Sequence, residues 1–306
     1  MPTTRIYRST DAGAPVLERL DAVDEATSMM ALFNSCLVSG YGALPGAGWT
    51  RPYKDVTYAV FKQGGGSGEY LQVEDSTAVT PSPRFVGYES MSSTTVGTSP
   101  YPVNPGYVSI DYQAAAGGIP IPWVLVADDR TFYFYTRDAT TSNYVGLAYG
   151  DGYSYQSSGL YRTFLTSTPF RRNSTITAPG MDRWYTPRDH LGTYNSTDAP
   201  LTLIGDQAKG TSETLTGAVP YPHGPDNKIW LAPLELVHHG TPAIRMRLRG
   251  FWHWLHNTAS VADDDVFPGT DDMLGKNFLL LRNVQSQGAY LNIVVHETSS
   301  TWETNS

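Results

Sequence analysis

Five aspartates near the C-terminal end are the residues best suited to hold a hard cation. Asp263-Asp264-Asp265 and Asp271-Asp272 stand on either side of Pro268-Gly269. Calcium takes about six to eight oxygen ligands, and a turn can gather several carboxylates around it. The spacing departs from the EF-hand loop, which alternates its ligands, carries a central Gly and ends on a distant Glu. Aspartate is also a turn former, so a solvated loop accounts for the same residues. We therefore expect no obligatory metal and no cofactor, with Asp263, Asp265 and Asp271 as the ligands if a cation binds.

Two histidine groups invite a zinc reading: His238-His239 and His253 with His256. Imidazole is the commonest metal side chain. His253 and His256 share a face only on a helix. Phe251, Trp252 and Trp254 beside them read as a packed aromatic segment with the imidazoles at its edges. The single cysteine, Cys36, excludes an intrachain disulfide and a Cys-rich zinc site.

Catalytic signatures are sparse. Twenty-nine acidic residues supply many carboxylates, but a retaining glycosidase needs two about 5 Å apart, a distance that sequence does not reveal. There is no GxSxG elbow and no HExxH. Gly64-Gly65-Gly66 lacks the Lys and Ser or Thr of a phosphate loop. Cys36 falls on the apolar face of a helix, a poor place for a nucleophile. We expect no catalytic residue. Tyr101, Tyr107, Tyr112, Tyr153, Tyr155, Trp184, Tyr185 and Tyr194 lie in or beside turn-rich segments, where rings can anchor interfaces, stack on sugars or cover the ends of the sheet; interface and core packing are expected over a glycan site. Asn173-Ser174-Thr175 and Asn195-Ser196-Thr197 match the glycan-acceptor pattern by chance, because no secretory signal is expected.

The elements that position these residues are mainly strands. Charged residues make up only 16% of the chain, and 29 Gly, 21 Pro and 20 Tyr favour short strands and many turns. The formal charge of −8 disfavours nucleic acid as a partner. No apolar stretch is long enough to span a bilayer, and no signal peptide is expected. One helix is predicted over 28–39. Met29, Leu32, Phe33, Cys36 and Leu37 share a face, Thr27 or Ser28 caps the start, and Gly40 fits the left-handed residue past the end.

Strands are predicted at 5–8, 59–62, 70–74, 85–88, 145–149, 229–236 and 243–249. The strongest hairpin joins Trp123–Ala127 to Thr131–Tyr135 through Asp128-Asp129-Arg130. Both arms are apolar almost throughout, which predicts a central hairpin covered on both faces. A closing hairpin is predicted from 277–282 and 289–295. Gln63–Gly68 reads as a flexible loop, and Ser92–Gly106, Pro169–Gly217 and Glu297–Ser306 read as exposed, interface-forming segments. The expected fold is α+β and mainly antiparallel. An α+β domain spans 1–160 and a β-rich domain spans 161–306, with a single continuous fold as the alternative.

Several blocks resemble a family of virion structural proteins of tailed bacteriophages. They are Tyr7-Arg8-Ser9-Thr10-Asp11-Ala12-Gly13-Ala14-Pro15, Cys36-Leu37-Val38-Ser39-Gly40-Tyr41-Gly42, Ala47-Gly48-Trp49-Thr50 and Gly87-Tyr88-Glu89-Ser90-Met91. Further blocks run from Trp123 to Tyr133, from Tyr149 to Asp151 and from Glu297 to Trp302. The likeness is densest from 5 to about 155, and the stretch from 156 to 245 does not share it. The resemblance implies particle structure and no reaction. Partners would be copies of this chain and other virion proteins, in tail, baseplate or neck. Head decoration and a receptor- or glycan-binding module of the tail are the alternatives. The expected location is the virion, after synthesis in a host cytoplasm.

Overall fold

The computed structural model describes residues 3–18, 25–75, 83–103, 106–110, 119–137, 144–155, 162–167, 184–189, 192–194, 201–203, 229–238, 244–254, 262–282, 293–298 and 301–302. Antiparallel strands dominate, with one helical segment near the start, so the chain is a β-rich α+β protein.

The architecture grows from the predicted hairpin. Trp123–Ala127 and Thr131–Arg137 pair in register and lie inside a middle sheet. Its order is Arg5–Arg8, Trp123–Ala127, Thr131–Arg137, Tyr144–Asp151, Thr163–Ser167. Alternate residues of the hairpin enter two different cores. Trp123, Leu125, Ala127, Phe132 and Phe134 join one core, and Val124, Val126, Tyr133 and Tyr135 join the other. This two-sided burial is why both arms are apolar without alternation.

A front layer covers the first face. It contains the helical segment and a sheet ordered Thr50–Lys54, Tyr58–Lys62, Tyr70–Glu74, Arg84–Tyr88, Val108–Ser109. Ser28 caps the helix by accepting from the Ala31 N–H at 3.1 Å. The α-helical turn spans Met29–Phe33, and Asn34–Ser39 widens into a π-helix. The widening frees two carbonyls. Gly40 N–H donates to Ser35 rather than to Cys36, so Cys36 and Leu37 accept from Ala47, Gly48 and Trp49 instead. Met29, Leu32, Phe33, Cys36 and Leu37 are all buried, as their spacing predicts.

A rear layer covers the second face. Its main path runs Leu201–Leu203, Leu231–His238, Ile244–Trp254, Ile293–Glu297, Asn277–Arg282, Asp265–Pro268, and Tyr153–Ser154 also pairs with Ile244–Trp254. The closing hairpin is present in Asn277–Arg282 and Ile293–Glu297; residues 289–292 lie outside the described set. The middle sheet takes Thr163–Ser167 from beyond residue 160 and Arg5–Arg8 from the start of the chain.

The expectation of exposed segments holds for residues 92–100, none of which is buried, and is corrected at the positions that follow. Within Ser92–Gly106, Gly97–Thr98 pairs with Ser90–Met91, and Tyr101 returns to the core at 1% exposure. Glu297 ends a strand, and Trp302 is buried beneath Arg249 and Gly250. In Pro169–Gly217, Trp184 and Tyr185 are buried, and Leu201–Leu203 is a strand; 169–183 and 204–217 lie outside the described residues. Apolar rings that sequence placed in turns were thus recruited by the two cores. No helix among the described residues is long and apolar enough to cross a membrane.

Candidate functional site

Polar chemistry concentrates at one end of the middle sheet, where three chain segments converge on two turns. The turn Asp128-Asp129-Arg130 closes the central hairpin. Asp128 Oδ1 accepts from the Arg130 and Thr131 N–H groups, each at 2.9 Å, which fixes the turn. Arg249, from the long rear strand, donates through NH2 to Asp128 Oδ2 at 2.6 Å and through NH1 to Oδ1 at 3.3 Å. Both side chains are sealed from solvent, at 2% and 0% exposure. Trp49 Nε1 donates to the Asp128 carbonyl at 2.7 Å, so the front layer grips the same turn.

Asp151 is the second centre. Its carboxylate lies within hydrogen-bond distance of Gln63 Nε2, Ser67 N, Ser67 Oγ, Arg162 Nε and Thr163 Oγ1, at 2.8 to 3.1 Å. The loop from Gln63 to Glu69 is therefore not a free linker, which corrects the sequence reading. Gly64 and Gly65 N–H groups donate to the Asp129 carbonyl at 3.0 and 3.1 Å. The glycines are needed for close approach. A Cβ on Gly64 would stand 1.9 Å from the Gly48 carbonyl oxygen, and one on Gly66 would stand 2.2 Å from Asp151 Oδ2. Composition signals freedom, but here the missing side chains allow contact.

Glu69 closes the loop. Its N–H donates to Gln63 Oε1 at 3.0 Å, and its carboxyl accepts from the Tyr101 hydroxyl at 2.8 Å. Burial pushes the Glu69 carboxyl up to about 8, helped by the nearby Asp151 charge. Burial also raises Tyr101 and Tyr149 well above the phenol range. Asp129 is raised by burial and by Asp128 beside it.

Chemically, the junction binds itself. Asp128 and Asp151 direct both carboxylate oxygens at protein donors, and no histidine is among their partners. Sequence reasoning found the Asp128 turn and placed Asp151 in a block of the family resemblance, but missed Arg249 as the partner of Asp128 and the pairing of Glu69 with Tyr101. Arg245, Arg247 and Arg249 alternate with Met246 and Leu248 along that strand, so alternation alone does not single out Arg249 as the guanidinium that is buried against a carboxylate.

The predicted metal ligands do not gather. Asp263 accepts from the Arg137 guanidinium and from the Arg282 N–H, the latter at 2.8 Å. Asp264 pairs with Arg8 at 3.0 Å. Asp265 begins a strand, and Asp271 lies exposed on a 3-10 turn with Asp272. No three His, Cys, Asp or Glu side chains among the described residues could hold an ion together. His253 is buried on the rear strand, while His239 and His256 lie outside the described residues. His238 ends a strand. Cys36 is buried, and burial pushes its thiol well up. Among the rings of the turn-rich segments, Tyr155 is 47% exposed, whereas Tyr101, Trp184 and Tyr185 are core residues. Tyr112, Asn173 and Asn195 lie outside the described residues.

No family model matches the chain, and no curated protein matches it.

Proposed function

We propose that this chain is a non-enzymatic structural subunit of a tailed-phage particle, repeated in the tail, baseplate or neck. One observation carries the reading: the sequence blocks that resemble that family are the residues that lock the layers to one another. Tyr7 donates to the Pro45 carbonyl at 2.8 Å, and Tyr41 donates to Asp11 at 2.8 Å. Trp123 donates through its ring to Pro15 and through its backbone to Ser9, both at 3.2 Å. Trp49 holds the Asp128 turn, and Thr131 donates to the Asp151 carbonyl at 2.8 Å. Trp302 Nε1 donates to Glu297 at 2.8 Å while its ring packs 5.8 Å from Tyr133. Residues spent in this way serve rigidity, and a rigid subunit is what a symmetric ring requires. The buried ion pair and the five-donor Asp151 support the absence of a reaction centre there.

The test is composition of the particle. Phage purified by density gradient from a host producing this chain should contain it in fixed ratio to the other virion proteins. Quantitative mass spectrometry reads that ratio. Absence from intact particles, with the chain left in the soluble lysate, would refute the proposal.

A further inference from the structure

We propose that Glu69 is a proton-held latch: neutral, it ties the Gln63–Glu69 loop and the Tyr101 loop to the middle sheet, and loss of its proton releases both. The Glu69 carboxyl is buried where the front layer meets the middle sheet. Three parts of the fold meet at Glu69. Its carboxyl accepts from Tyr101 of the returning loop and from Thr163 of the middle sheet, Tyr149 and Asp151 of that sheet stand nearby, and its N–H donates to Gln63 of the front layer. The Tyr101 loop is itself held by reciprocal backbone bonds to Gly87, at 2.8 and 2.9 Å, and its ring fills the space over Gly87.

No cation among the described residues is committed to Glu69. Arg162 pairs with Asp151, Arg130 with Asp129, and Arg188 with Glu89. Lys62 turns outward over the Tyr70 ring, 5.0 Å from its centroid. The other charged neighbours, Asp151 and Glu89, have the wrong sign. A second carboxylate placed here would be buried, uncompensated and beside like charge, and such a state is relieved by opening to water. The shift of Glu69 to about 8 follows from the same burial. The step itself is a single proton transfer from the carboxyl to solvent hydroxide, with no other bond made or broken.

The element that yields is the loop. Gly64, Gly65 and Gly66 carry no side chains to anchor it. It is held by the Gly64 and Gly65 bonds to Asp129, the Gln63 side-chain bonds to the Arg130 carbonyl and Asp151, the Ser67 bond to Asp151, and the Glu69 contacts. When Glu69 leaves for water, the Gln63 side-chain oxygen loses the Glu69 N–H and the Tyr101 hydroxyl loses the carboxyl.

Hydrogen exchange on the full chain reads the release directly, with rates corrected for base catalysis. The reporter amides are Gly64, Gly65, Ser67, Gly87 and Tyr101. In the wild-type chain their protection should fall by up to about tenfold per pH unit as pH rises from 4.5 towards 8 and level off above it, while the central hairpin stays protected. Glu69→Gln should keep its protection throughout. Tyr101→Phe should move the transition to higher pH, because the lost hydroxyl bond favours the ionised form. Unchanged wild-type protection, or equal loss in Glu69→Gln, overturns the latch. Should Glu69→Gln fail to fold, infrared spectroscopy of the wild-type chain decides. A neutral-carboxyl band that disappears as pH rises through about 8 supports the latch, and its absence at neutral pH overturns it.

Discussion

The Arg249 guanidinium and the Asp128 carboxylate meet at 2.6 Å with neither side chain open to solvent, which ties the rear layer to the tip of the central hairpin. A buried pair of this kind contributes little over a well-packed apolar substitute, yet breaking it strands a charge. Arg249→Met should therefore destabilise the chain by about 3–5 kcal/mol in urea unfolding. Asp128→Asn combined with Arg249→Met should recover much of the loss, because Asn retains the oxygen that accepts from Arg130 and Thr131. A single variant within about 1 kcal/mol of wild type would mean that the pair is hydrated.

Phe33 is the hub of the front core. Its ring centroid lies 5.1 and 5.5 Å from Phe132 and Phe134 on the middle sheet, and 6.0 and 6.1 Å from Phe61 and Phe85 on the front sheet. Removing it leaves a cavity that four rings from two sheets cannot fill by shifting together. Phe33→Ala should cost about 3–5 kcal/mol. Thermal or denaturant melting checks this, and a melting temperature within a degree or so of wild type would show the cavity to collapse.

Local pattern made the helix face and the central hairpin legible, because burial repeats at the period of each element. The apolar face starting at Met29 and the unbroken apolar arms around Asp128 both reported their neighbours through spacing alone. The π-helical turn was not legible, since it depends on Ala47, Gly48 and Trp49 claiming the Cys36 and Leu37 carbonyls. The polar junction was half legible. Asp128 stands out as a turn residue, but Arg249 becomes its neighbour, and Tyr101 that of Glu69, only through tertiary pairing. For Tyr101 the sequence leaves interface and core packing open, because its segment is rich in Ser, Pro and Gly; the chain bends there and the ring re-enters the core.

The Gly64 contact separates close approach from flexibility. Gly64 needs no left-handed backbone, so an added methyl acts mainly through the 1.9 Å clash with the Gly48 carbonyl oxygen. Gly64→Ala should destabilise by about 1–3 kcal/mol, the cost of overpacking. The Gly64 and Gly65 amides should also exchange faster. An unchanged or raised stability would show that the loop is as free as its composition suggests.

Two buried groups set opposite pH slopes. His296 is enclosed by Tyr133, Tyr135 and Phe251, and burial lowers it from 6.5 to about 3. The unfolded chain takes up that proton first, so this contribution is lost as pH falls from 6.5 towards 3. Glu69 behaves in the reverse sense. Its folded value of about 8 stands above the ordinary 4.5, so its contribution is complete below 4.5 and is lost as pH rises towards 8. Each slope approaches about 1.4 kcal/mol per pH unit. Between 4.5 and 6.5 the two cancel, which gives a plateau in their joint contribution. Above it Glu69 governs, and below it His296 does. Urea unfolding of wild type, Glu69→Gln and His296→Gln over a pH series isolates each term as a difference. Relative to Glu69→Gln, the wild-type chain should weaken steadily as pH rises above 4.5; relative to His296→Gln, it should weaken steadily as pH falls below 6.5. A wild-type minus Glu69→Gln difference that does not change with pH would place that carboxyl in water, and would remove the physical ground for the latch as well.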